Sequence, residues 1–71
     1  MNFFQLKTDA VNELNLQLTD FGLQPQDWVL QPQSTKKIKI QNRQEKSFFF
    51  MGQVEKLKGK AYWKNIHLAS L

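Results

Sequence analysis

Residues able to carry out chemistry are few and scattered in this chain. It has one histidine, His67, and no cysteine. His67 and Ser70 stand three apart, and on a strand they would point to opposite sides. A serine nucleophile also needs a carboxylate to orient the imidazole, and spacing supplies none near either residue. Asp9, Glu13, Asp20, Asp27, Glu45 and Glu55 stand singly, so spacing marks no general acid–base pair. The isolated glycines make no phosphate-cradling loop. Zinc takes Cys or His in clusters, so no metal site is expected, and nothing calls for a cofactor. The expectation is a protein that binds rather than catalyses.

What remains is the chemistry of contact, and charge distribution is its first signal. Residues 36–71 carry Lys36, Lys37, Lys39, Arg43, Lys46, Lys56, Lys58, Lys60 and Lys64 against Glu45 and Glu55, a net of +7. Residues 1–35 carry Lys7 against Asp9, Glu13, Asp20 and Asp27, a net of −3, and the two halves make up the overall +4. Such asymmetry points to an anionic partner for the basic half, or to halves that face each other within the fold or across a dimer.

Phe49, Tyr62 and Trp63 lie among those lysines. Lysines neutralise phosphates and exposed rings stack unpaired bases, so RNA or single-stranded DNA is one reading of the basic half. Two features weigh against it. Lys outnumbers Arg nine to one, whereas Arg gives bidentate recognition, and outward Lys also guards sheet edges against aggregation. Lys58-Gly59-Lys60 reads as an ordinary soluble turn rather than an anion-contacting tip.

The run Phe48-Phe49-Phe50-Met51 favours protein contact. On a strand it places bulky apolar groups on both faces, and one helix covers only one of them. The second face is expected to carry Phe49, Met51 and Trp63, rimmed by Lys37, Lys39, Lys56 and Lys64, as a contact site for a protein partner or a second copy. An acidic helix and a basic sheet would be complementary across a symmetric dimer. The competing reading folds Phe3, Phe4 and Trp28 back over that face.

The elements that must position these residues follow from periodicity. Thr8-Asp9 marks a helix start and Gly22 its C-terminal cap, with Val11, Leu14, Leu18 and Phe21 on one stripe. Asp9 and Glu13 suit the positive end of the helix dipole. Residues 14–19 also alternate with period two, but the longer stripe and the caps at both ends decide for helix. Upstream, Phe3-Phe4-Gln5-Leu6 reads as a short strand or a staple. Residues 22–35 form a Gln- and Pro-rich connector in which Trp28-Val29-Leu30 makes a short edge strand or an ordered turn.

The second half reads as strands. Residues 36–41 alternate, with Ile38 and Ile40 inward and Lys37 and Lys39 outward. After a polar loop at 42–45, residues 47–55 form the central strand, Phe48, Phe50, Gly52 and Val54 opposing Phe49, Met51, Gln53 and Glu55. A Lys58-Gly59 turn leads to residues 61–70, with Tyr62, Ile66 and Leu68 opposing Trp63, His67 and Ala69. The fold expected is α+β, one N-terminal helix packed on a three-stranded antiparallel meander. The alternative is a small, mostly β barrel in which residues 3–7 or 14–20 add strands.

Length bounds the rest. Seventy-one residues make a single domain, 1–71, burying only about 60% of the surface exposed on unfolding. Without disulfides, stability must come from an aromatic-rich core or from self-association. No apolar window of about 18 residues exists, so no membrane span is expected. The acidic helix also speaks against a membrane-surface role. The start, Met1-Asn2-Phe3-Phe4-Gln5, lacks a basic segment followed by a long apolar run. Together with the absence of Cys, this sets a cytoplasmic location as the expectation.

Overall fold

The structure, a computed structural model, describes residues 8–69. Helix α1 (Thr8–Gln17) continues into a 3-10 turn (Leu18–Phe21), and a second 3-10 turn (Pro25–Asp27) follows. Four strands come next: β1 (Trp28–Pro32), β2 (Lys37–Asn42), β3 (Phe49–Leu57) and β4 (Lys60–Leu68). They form one sheet in the order β1-β2-β3-β4, with antiparallel neighbours throughout.

The α+β class holds, and the strand number is corrected from three to four. The connector is a paired edge strand, with Leu30 opposite Ile40 and Pro32 opposite Ile38. Its prolines do not forbid this. Pro25 opens the second 3-10 turn, where no N–H is needed, and Pro32 ends a strand at the sheet edge. Residues 14–20 are helical, so they add no strand to a barrel. Residues 3–7, with the strand or staple expected there, lie outside the described residues.

The helix stops where its chemistry says it should. Gly22 takes a left-handed conformation (φ 79°), its N–H donating to Thr19 O while Leu23 N–H donates to Leu18 O, each at 3.1 Å. This cap returns Leu23 onto the core beside Leu18. Leu14 and Leu18 are fully buried. Phe21, the last residue of the expected stripe, stays exposed.

One sheet face packs under the helical layer and carries Trp28, Ile38, Ile40, Val54, Ala61 and Trp63 as its buried side chains. Trp28 meets Phe48 and Phe50 edge-on, at 5.3 and 5.4 Å between ring centres. Alternation through β2 and β3 matches the expected faces. In β4 it does not, because the ladder slips by one residue: Gln53 pairs with Asn65 but Val54 pairs with Trp63, leaving Lys64 as the unpaired extra residue of a β-bulge. Trp63 therefore shares the covered face with Ile66, and Tyr62 falls on the other side.

Trp63 is the anchor of the helical layer. Its ring lies against Gly52: a Cβ placed there would come within 2.6 Å of Trp63 Cε3 and closer still to Cζ3. The indole Nε1–H donates to Leu14 O at 2.8 Å, which ties β4 to the last turn of α1. Gln17 completes the seam, its Nε2 donating to Ala61 O at 3.0 Å and its Oε1 accepting from Trp63 N at 3.4 Å. That carboxamide does for the β4 edge what a neighbouring peptide group would do. Gln17→Ala is expected to cost about 1–2 kcal/mol, read as a fall in melting temperature of roughly 5–15 °C for a chain this small.

Candidate functional site on the sheet face away from α1

The sheet face away from α1 is ordered in rows by strand register. Val29, Gln41 and Phe49 make one row. Gln31, Lys39, Met51 and His67 make the next. Lys37, Gln53 and Asn65 follow, and then Glu55 beside Tyr62. Neighbours within a row stand about 4.8 Å apart, and rows succeed one another at about 7 Å. Val29, Phe49 and Met51 are half-buried at one end of the face, while α1 and both 3-10 turns lie on the opposite side.

The polar side chains around that apolar centre are held in place. Lys39 Nζ sits 4.4 Å from the centre of the Phe49 ring, a cation–π contact that keeps the lysine stem flat on the sheet. Gln31 Nε2 donates to Gln41 Oε1 at 3.0 Å, and Gln41 Nε2 to Lys46 O at 2.8 Å. Asn65 Nδ2 donates to Gln53 Oε1 at 3.1 Å. His67 is exposed beside Met51. The result is a small apolar centre in a fixed amide and lysine surround, the layout of a contact surface with a core and a polar rim.

Among the residues expected to form one site, the structure brings together Phe49, Met51, Lys37 and Lys39. Trp63 is corrected to the covered face, where it is only 7% exposed, because the bulge reverses the phase of β4. Lys56 alternates with Glu55 and lies toward the β3–β4 turn, away from Phe49 and Met51. Lys56 and Lys64 instead line a separate groove of about 640 Å³ at the end of the sheet, with Thr35, Lys36, Lys37, Gln53, Val54 and Glu55.

Other expected contacts resolve differently. Trp28 lies on the covered face and so does not fold over Met51; Phe3 and Phe4 lie outside the described residues. Asp9 and Glu13 are exposed on α1, across the molecule from the lysine-bearing face. A two-fold dimer through that face would therefore not pair acidic helix with basic sheet. Arg43, the only arginine, is engaged in structure: its Nε donates to Gln26 O at 2.9 Å and its N–H to Asp27 O at 2.9 Å.

Sequence reasoning missed Val29 and Gln31 on this face. Their signal was present in the alternation of residues 28–31, once that segment is read as a strand. Among the described residues no group of three His, Asp or Glu side chains could hold a metal ion, and Ser70 lies outside them. No helix of the described residues is long and apolar enough to cross a membrane. Comparison with known proteins adds no relative: no family model matches the chain, and neither does any curated protein or solved structure.

Proposed function

We infer that this chain is a small non-enzymatic binding module whose sheet face away from α1 docks a protein partner with an apolar centre and an acidic border. The observation that carries this reading is the row structure around Met51: half-buried Val29, Phe49 and Met51, bordered by Lys37 and Lys39 and by hydrogen-bonded amides. Aromatic and methionine side chains dominate contact energies when they are desolvated together. The two lysines add long-range attraction to carboxylates, which speeds encounter more than it tightens the complex. A second copy fits less well than an acidic partner, because face-to-face pairing would oppose Lys37 and Lys39 with the same residues.

A photo-crosslinking residue at position 51, in the full chain expressed in its native cells, tests this directly. The expected product is a discrete adduct with another protein. It should weaken with added salt and disappear in the Lys37→Glu, Lys39→Glu variant, while a crosslinker at exposed Leu16 on α1 gives no such adduct. Adducts to a second copy or to nucleic acid, or equal labelling from both positions, would overturn the reading.

A further inference from the structure

The groove at the far end of the sheet comes from two local features that the docking face does not use. The first is an overhang. The β2–β3 ladder ends with Val54 N–H donating to Lys36 O at 2.8 Å, yet β3 runs on to Leu57. The β3–β4 hairpin therefore projects beyond β2, and the turn before β2 forms a wall beside it. Ser34 Oγ fixes that turn by accepting from Lys36 N at 3.3 Å and Lys37 N at 3.2 Å. The second feature is the bulge. In a regular ladder, the residue between Trp63 and Asn65 could not exist without turning one of them over. As the extra residue, Lys64 is exposed and lines the groove from the β4 side, an instance of a bulge re-aiming a side chain.

The groove is floored by Gln53–Lys56 of β3 and gathers Lys36, Lys37, Lys56 and Lys64 against one carboxylate, Glu55. Its volume, about 640 Å³, lies within the range of sites that hold small ligands. Four ammonium groups around one concavity focus a positive field there. Each is a flexible point charge, suited to phosphate oxygens rather than to bidentate reading of a base or a carboxylate. Tyr62, 38% exposed, stands opposite Glu55 in the next strand and offers a ring on which an unpaired base can stack. Glu55, an acceptor in an otherwise cationic groove, is complementary to a sugar hydroxyl.

We propose that this groove binds single-stranded nucleic acid through its phosphates, without reading base sequence. The groove shares Lys37 and Gln53 with the border of the docking face but not Phe49, Met51 or Lys39, so Lys56→Glu and Lys64→Glu alter the groove alone and Lys39→Glu the docking face alone.

The test uses the full chain and amide NMR shifts on adding an oligouridine, an oligothymidylate, inorganic tripolyphosphate or an oligoglutamate of matched charge. The expected result is shifts confined to Thr35–Lys37, Gln53–Lys56, Tyr62 and Lys64 with the oligonucleotides. Tripolyphosphate should shift the Lys36, Lys56 and Lys64 amides more weakly, leaving Tyr62 unmoved. Oligonucleotide affinity should fall roughly 50-fold between about 50 and about 200 mM salt if all four lysines engage. Lys56→Glu and Lys64→Glu should each weaken binding roughly tenfold and flatten the salt slope, whereas Lys46→Glu, an equal charge change in the β2–β3 loop, should leave it within about twofold of the original. Shifts spread over all the lysines, equal loss in Lys46→Glu, equal response to oligoglutamate, or tighter binding of tripolyphosphate than of either oligonucleotide would overturn the proposal. The wild-type shift map stands even if a variant fails to fold.

Discussion

Gly52→Val is expected to remove most of the stability of this chain. The site has no room: a single added carbon already falls within 2.6 Å of the Trp63 ring, and valine adds two more. Gly52 is buried in the middle of the central strand, with Ile38 and Ile66 opposite it on either side, so backbone movement would disturb two ladders at once. Overpacking a tight core costs about 1–3 kcal/mol when neighbours can adjust. Here the neighbour is a rigid indole, and displacing it forfeits burial worth a further 3–5 kcal/mol or so. A chain of this length has only about 4–10 kcal/mol in total. Urea melts should show Gly52→Val largely unfolded without denaturant and Gly52→Ala lowered by about 2–3 kcal/mol. If the clash is the cause, Trp63→Leu should relieve part of the Gly52→Ala loss, a coupling of about 1 kcal/mol or more in a double-mutant cycle. Strict additivity would show that the ring does not lie on Gly52.

Trp63→Ala comes next in size. It removes the ring that fills the space between β3 and α1, and with it the donor to Leu14 O, for a loss of about 4 kcal/mol. Undocking of α1 should be visible as faster hydrogen exchange at the amides of residues 14–18, ahead of exchange in β2 and β3. Trp63→Phe keeps a ring but no donor and should cost about 1–2 kcal/mol. Because Trp63 faces the helical layer, Trp63→Phe should leave the crosslink from position 51 intact. Loss of the crosslink in a folded Trp63→Phe protein would return this residue to the contact site.

Much of this arrangement was readable from residue types, and the failures have specific causes. Thr8, Asp9 and Gly22 marked the helical segment because capping is local chemistry. Ile38, Ile40, Phe50 and Val54 marked the covered face because period two holds through β2 and β3. Trp63 was misplaced because one extra residue, Lys64, reverses the phase of everything before it in β4, and no residue type announces a bulge. The edge strand β1 was half-legible: Trp28-Val29-Leu30 is apolar, but the flanking prolines describe a turn equally well until β2 is seen to pair with it.

The candidate site followed the same division. Phe49, Met51, Lys37 and Lys39 were legible together because they lie on strands whose alternation is undisturbed. The groove was not, since it depends on how far β3 extends past β2, a matter of register rather than of composition. Lys56 and Lys64 were grouped with Phe49 and Met51 but line the groove beyond them instead. The charge asymmetry between the halves of the chain has a plain spatial meaning here. Acidic residues of α1 and the lysines Lys37 and Lys39 lie on opposite sides of the sheet, so the asymmetry faces outward instead of closing on itself.

Hydroxyl-radical footprinting, comparing the purified chain with the same chain in its native cells, tests the docking reading most directly. Met51 and His67 should be oxidised readily in the purified protein, far faster than Trp63, and be protected several-fold in cells while Leu16 on α1 is not. Equal oxidation of Met51 in both settings, or a Met51 already as protected as Trp63 in the purified chain, would contradict it.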